Sequence, residues 1–430
     1  MLFHPVTLAA LFLLGSASAQ CNVSVPNPMV KKGTINSRFE FALDSLKKMV
    51  DIDRTGNIFY SPYSLHQALM LAFYGSRGST DTSLRKALHI PNDLTKDQLR
   101  DYYSLENLSR KPDLQNNGPA DYEYESANRL WISDTRKLEE CMLNVFNEQL
   151  ERTDFRTNPS AVRDRINQWV SNVTRGHIRD LLSDDSISEN TDLVLANAVY
   201  FKGLWLSRFD SANSENRLFY TSGSQHSTTT FMRQEGNFNY DKSESLRVHV
   251  LELPYKGEKV SMFVLLPPFA NPENNNNEDS LRQLIERLSN QAGAEALRSL
   301  FDSGISSQQV EVMLPRWEME KELPLGRLLH ELGAGELMMP NKADLSGFLK
   351  AGEKPLHLGD AIHRAKIEVT EEGTTAAAAT ILYSFRSGRP LEPAVFNANH
   401  PFLYFIYDKS TQSILFTGVF RTPSPPKNNA

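Results

Sequence analysis

His330 and Glu331 begin what would be a zinc-protease motif, H-E-x-x-H, in which two histidines one helical turn apart hold the metal and the glutamate acts as base. Ala334 stands where the second histidine is needed, so the ligand pair is missing. Gly333-Ala334-Gly335 lacks the third glycine of a dinucleotide loop and follows a helical pattern rather than a strand. No G-x-S-x-G elbow, C-x-x-C pair or G-x-x-x-x-G-K-[ST] loop occurs. The 10 histidines are scattered singly, and a lone histidine is more often structural than catalytic. The sequence therefore points to no enzyme, no metal ligands and no cofactor. The chemistry it does offer is passive. In "ILYSFRSGRPLEPAVF" the Arg386-Ser387 bond is one that a trypsin-like protease would attack, whereas Arg389 is followed by Pro390, a bond most serine proteases cut poorly.

The elements on either side must present that bond. "HRAKIEVTEEG" alternates through Ile367 and Val369 and reads as a strand leading outwards. The chain rejoins a strand at Pro401-Phe402, so Gly373 to Ala398 reads as a long exposed loop, of the kind that is usually functional inside a compact domain. The competing reading is a helical turn at Ala376 to Ala379, because alanine is the best helix former. Elsewhere, "INSRFEFALDSLKKMV", "SPYSLHQALMLAFYGSRG", "NQWVSNVTRGHIRDLL" and "PLGRLLHELGAG" carry helical spacing, and so does the segment through Leu281, Leu284 and Leu288. "DLVLANAVYFKGLW" is apolar enough for a strand buried on both faces. "RVHVLELPYKG" and "VSMFVLLPP" read as a strand pair, "QQVEVMLPRWEME" as one strand, and "PFLYFIYDKSTQSILFTGVF" as a hairpin. "NPENNNNED", residues 271–279, reads as a surface loop. No linker or repeat interrupts residues 34–421, which implies one large α+β domain between a tail at 20–33 and another at 422–430.

The N-terminus carries an apolar run ending in Ala17-Ser18-Ala19, a small-residue cleavage site, so residues 1–19 read as a signal peptide of a secreted, extracellular protein. In that compartment Cys21 and Cys141 could form one disulfide, or Cys141 could be buried and free with Cys21 paired with another molecule or with nothing. Asn22, Asn107 and Asn172 head glycosylation sequons, whereas Asn158 is excluded by the proline after it. The 430-residue chain has a net charge of −6, which argues against a nucleic-acid partner, and no segment is suited to a membrane. Lys47-Lys48 and Arg110-Lys111 are short pairs rather than a basic face, so strong heparin dependence is not expected.

The ordered blocks "NIFYSPYSL", "LVLANAVYFKGLW", "FMRQEGNFNY", "VLELPYKG", "ADLSGF", "HRAKIEVTEEGTTAAAAT" and "NANHPFLYFI" resemble the serpin family across nearly the whole mature chain. The resemblance implies a fold of three β-sheets with eight or nine helices and a reactive loop over about 371–397. It places Glu371, Glu372, Gly373, Thr374, Ala376, Ala377, Ala378 and Ala379 in the hinge of inhibitory members. It places Ser61, Ser64, Asn197 and His363 in the polar cluster beneath the main sheet, called the shutter, and Trp205 at the breach, the sheet's upper end. It also implies a suicide inhibitor: a serine protease cuts the loop, and the loop inserts as a new strand before the acyl-enzyme hydrolyses. Counting 17 residues from Glu371 ends at Ser387, with Gly388 next; a spacing one residue shorter gives Arg386. The order of preference is Arg386, Ser387, then Arg389, with Phe385 open to a chymotrypsin-like enzyme. The expected partner is a trypsin-like protease held covalently by a monomer, in a cascade such as arthropod immunity or melanisation. The alternative is a non-inhibitory carrier or folding factor.

Overall fold

The computed structural model describes residues 28–110, 122–146, 148–222, 225–269, 280–372 and 392–423. The first helix, α1 (Pro28–Ile52), starts inside the stretch expected to be tail. Val30 and Thr34 are buried, and the Thr34 hydroxyl donates to the Val30 carbonyl at 2.8 Å. One apolar side chain docked on the body is enough to extend the helix back over residues 28–33, so the tail is shorter than expected. Then come β1 (Ile58–Tyr60), α2 (Pro62–Gly75), α3 (Gly78–Ala87), α4 (Lys96–Arg110), β2 (Tyr122–Ser133), α5 (Glu140–Val145) and β3 (Leu150–Thr153). The chain continues with α6 (Pro159–Val173), β4 (Leu193–Gly203), β5 (Glu215–Tyr220), β6 (His226–Ser243), β7 (Val248–Pro254) and β8 (Val260–Leu266). After α7 (Ser280–Leu288) and α8 (Gln291–Ser303) come β9 (Ser307–Pro315), β10 (Trp317–Glu322), α9 (Leu325–Glu331) and β11 (Asp360–Val369). The last strands are β12 (Ala394–Asn397), β13 (Phe402–Asp408) and β14 (Ser413–Phe420).

A five-stranded sheet runs β10-β11-β4-β2-β3, and a nine-stranded one runs β1-β14-β13-β8-β7-β6-β9-β12 with β5 on β6. The larger sheet is continuous because β6 is long enough to serve two halves. Its Phe231–Asn239 stretch pairs with β9, and Asn239–Ser243 pairs with β7. Divided there, the count is the three sheets expected, with nine α-helices among the described residues. "QQVEVMLPRWEME" is two strands rather than one. After Pro315 the chain changes sheet, β9 pairing in the larger and β10 in the smaller. The buried set shifts there from Val310, Val312 and Leu314 to Trp317 and Met319, and the run of apolar residues from Val312 to Pro315 blurs that change in the sequence. The loop also closes earlier than expected, because Ala394–Asn397 already pairs in parallel with Val310–Met313.

In the five-stranded sheet, β4 is central and buried along most of its length. The side chains of β4 and β11 alternate between two cores. Val194, Ala196, Ala198 and Ile362 pack under α6 with Ile166, Val170 and Leu181. Val199, Phe201, Ala365 and Ile367 face the aromatic core shared with the larger sheet. α2 is buried all round, which marks it as a core helix.

Candidate functional site

β4 and β11 pair directly and in parallel, from Asp360↔Val194 to Ile367↔Phe201. Register alone sets a polar row across this seam: Asn128 on β2 lies opposite Asn197 on β4, and Asn197 lies opposite His363 on β11. α2 reaches the row from below. Ser61 caps its N-terminus, accepting from the Ser64 N–H at 3.0 Å and donating to the Leu415 carbonyl at 2.6 Å, with Pro62 filling the first turn. The Ser61 N–H donates to His363 Nε2 at 3.1 Å. His363 Nδ1 must then carry the proton, and it donates to Asn197 Oδ1. The Asn197 amide donates to Ser64 Oγ at 2.8 Å and to Asn128 Oδ1. Ser64 Oγ lies 3.1 Å from both Asn128 Oδ1 and Ser126 Oγ. Desolvation holds the His363 imidazole neutral, its pKa down to about 3. Ser61, Ser64, Asn197 and His363 are buried and Ser126 and Asn128 partly so, and a missing member of this hydrogen-bonded network would leave buried groups unsatisfied.

The upper end of the seam, where β11 finishes, is built differently. Gly203 lets the Tyr255 ring press against β4, since a Cβ there would lie 2.2 Å from that ring. Trp205 stacks on Tyr255 with centroids 4.6 Å apart and packs edge-on to Phe209. Its indole N–H donates to the Thr370 carbonyl at 2.8 Å, fixing the backbone just beyond β11. Glu371 is buried; it accepts from the Ser214 hydroxyl at 2.8 Å and lies 3.6 Å from the half-exposed Arg316 guanidinium. Glu372 points to solvent. A cavity of about 420 Å³ opens here, with Lys202, Arg208 and Arg316 facing Glu371 and Glu372.

Ser61, Ser64, Asn197 and His363 are thus brought together, and Trp205 meets the Thr370–Glu371 backbone. Gly373, Thr374, Ala376 to Ala379, Arg386, Ser387, Gly388 and Arg389 lie outside the described residues, as do Asn22 and Cys21. Cys141, in α5, is disulfide-bonded. Asn172 is exposed in the last turn of α6; Asn107 falls within α4, and its side chain is outside the described set. Sequence reasoning missed Ser126, Asn128, Ser214, Arg316 and Tyr255. The Ser126-x-Asn128 pair, on a face otherwise formed by Tyr122, Tyr124, Leu130 and Ile132, was the one available signal. No group of three or more metal-ligating side chains occurs among the described residues, and no helix there is long and apolar enough to cross a membrane.

The family model described as "Serpin (serine protease inhibitor)" matches residues 36–423. Serine protease inhibitor 88Ea of Drosophila melanogaster is 37% identical over 402 residues, covering 90% of each chain. The leukocyte elastase inhibitor of Homo sapiens is 35% identical over 401 residues, covering 92% of this chain and 100% of the other. Among solved structures, uncleaved ovalbumin superposes with TM-score 0.72 at 27% identity, over 90% of this chain and 100% of its own. Maspin reaches TM-score 0.77 at 24% identity, over 92% and 100%, a likeness of fold. The chain belongs to the serpin family and has the serpin fold. Members of this family are inhibitors of serine proteases rather than enzymes.

Proposed function

We propose that the chain is a secreted suicide inhibitor of trypsin-like serine proteases, acting through cleavage after Arg386 and insertion of the cleaved loop between β4 and β11. The observation that supports this most is the closed seam itself. β4 and β11 pair in parallel with no strand between them, and the loop leaves from the very end at which a returning strand would enter. A strand entering there runs antiparallel to both neighbours. It replaces one parallel ladder with two antiparallel ones, which are somewhat more stable per residue. Each added ladder hydrogen bond contributes about 0.5–1.5 kcal/mol net, so a full strand supplies several kcal/mol of driving force. The residues offered to the seam, Thr374 to Thr380, are small and uncharged and present no steric catch.

In this reading the protease serine attacks the Arg386 carbonyl, and the amine of Ser387 leaves with a proton. The ester formed is stranded when insertion outruns attack by water. Glu371 and Trp205 fix the pivot, while the Asn128–Asn197–His363 row closes the path until the strand arrives. The residue before the cut bond, Arg386, sets the target class, and the leader at 1–19 and the sequons support an extracellular setting, such as an immune protease cascade.

Incubation with trypsin followed by a denaturing gel tests this directly. A band at the summed mass is expected, together with a released peptide whose sequence starts at Ser387. A chain that is only clipped would support the carrier or folding-factor reading, and a peptide starting at Gly388 would move the bond to Ser387.

A further inference from the structure

Three cations meet where the chain leaves β11, and they come from separate parts of the sequence. Lys202 is near the end of β4, Arg208 lies in the segment that follows it, and Arg316 is the single residue between β9 and β10. The Arg316 backbone is held by the strands on either side and by its N–H, which donates to the Thr230 carbonyl at 2.9 Å. All three side chains line the cavity of about 420 Å³ at the upper end of the seam, with the buried Phe209 ring as an apolar wall. The chain as a whole has a net charge of −6. A cation-rich opening runs against that average, and a low-dielectric wall concentrates its field.

The acids in the lining do not use up these donors. Glu372 is exposed, which leaves Glu371 as the one buried acid of the cavity. Glu371 Oε1 accepts from the Ser214 hydroxyl at 2.8 Å but stands 3.6 Å from Arg316 Nη1, beyond hydrogen-bond reach. The Arg316 guanidinium makes no hydrogen bond among the described residues, although it carries five donors in a planar fork that matches an oxyanion. Lys202 spends one donor, on Glu368 at 3.3 Å. An anion can therefore take the place of Glu371 beside Arg316 without breaking a hydrogen bond, and the carboxylate keeps its bond to Ser214.

We propose that this cavity binds a small, doubly charged oxyanion, phosphate or a sulfate group, held by Arg316, Arg208 and Lys202, and that the ion competes with Glu371 for Arg316. Binding exchanges a long ion-pair contact for direct charge-assisted hydrogen bonds, and the cavity has room for the ion with water around it. The hold on the departing chain at Glu371 then depends on the anions of the surrounding medium. The site stands apart from the inhibitor reading, because it needs neither a protease nor a cleaved loop.

Inorganic phosphate and a sulfated disaccharide, titrated separately by calorimetry at pH 8 and constant ionic strength, are the probes. Saturable binding is expected, and the tighter of the two identifies the source of the oxyanion. Arg316→Gln should weaken binding about tenfold, the scale of one charge-assisted hydrogen bond, with Arg316→Lys in between. Glu371→Gln keeps the side-chain shape and should tighten binding about fivefold by removing a like charge. That gain cannot come from a folding defect. Lys47→Gln, outside the cavity, should change nothing. No saturable binding of either probe would overturn the site. Binding that Arg316→Gln and Glu371→Gln both leave unchanged would mean an adventitious ion only. Weakening by Arg316→Gln with no tightening by Glu371→Gln would overturn the competition, and the proposal with it.

Discussion

The middle and the upper end of the β4–β11 seam are closed by opposite means. In the middle, Ser61, Ser64, Asn197 and His363 are fully buried and form a neutral network with the partly buried Asn128. At the upper end, a stacked Trp205–Tyr255 pair and a buried carboxylate beside a half-exposed guanidinium hold the departing chain. Neutral bonds in a buried site are costly to break singly, since each broken one leaves a buried group unpaired. A half-exposed ion pair loses less, because water takes over part of its work. The seam is therefore firm at its neutral, hydrogen-bonded middle and more yielding at the upper end, where the partner of Glu371, Arg316, is half exposed. Opening should begin at Thr370–Glu371 and meet its main resistance at the Asn197–His363 row.

The sharpest test of that contrast is pH. His363 is neutral in the fold with its pKa lowered to about 3, and His66, bonded to Ser37 in the core, is lowered to about 3 as well; burial is the main cause for both. In the unfolded chain each would accept a proton near pH 6.5. Their contribution to stability is thus complete above pH 6.5 and is lost as pH falls towards 3. At pH 5 the loss is about 2 kcal/mol per imidazole. Urea unfolding at pH 7.5 and pH 5 should show this drop, with an unchanged denaturant slope. A His363→Gln variant should lose less on acidification than the wild type; an equal loss would remove His363 from the account.

Next in size is Asn197→Ala. It strips His363 Nδ1–H, Ser64 and Asn128 of a shared partner, and the expected cost is about 3 kcal/mol, at the upper end of single-site effects. The melting temperature of the uninserted form reads it. A loss of under 1 kcal/mol would mean that the row is not what keeps the seam shut.

How much of this was legible in the sequence follows from the range of the interactions. The serine cap on α2 is local, since Ser61, Pro62 and Ser64 lie within one turn, and it could be read directly. The strand alternation around Ile367 and the apolar run of β4 were likewise visible in short windows. Asn128 gave no comparable signal, because its importance depends on β2 being in register with β4, 69 residues away in sequence. The 18-residue β6 went unread as a strand: its outer face is polar, and Gly236 interrupts it. Arg316 was hidden by the apolar run Val312–Pro315, which blurs the switch between β9 and β10. That switch, however, is what aims its guanidinium at Glu371. Composition and periodicity report which face is buried; they do not report which strand lies alongside.

The smallest expected effect lies at the upper end, where two substitutions separate charge from hydrogen bonding. Ser214→Ala removes one donor to the buried Glu371 carboxylate and leaves Arg316 in place, so a cost of about 1 kcal/mol is expected. Glu371→Lys, by contrast, puts a cation beside Arg316 in a buried position and should cost about 2 kcal/mol, less than Asn197→Ala because Arg316 can swing to solvent. If the upper end is where opening starts, both variants should take up a loop peptide faster than the wild type at equal global stability loss. Asn197→Ala should show no such excess of rate over stability. Peptide-uptake rates plotted against melting temperature for the three variants decide the matter. Points on a single line would mean that the two regions do not differ in kind, and that the seam opens as one unit.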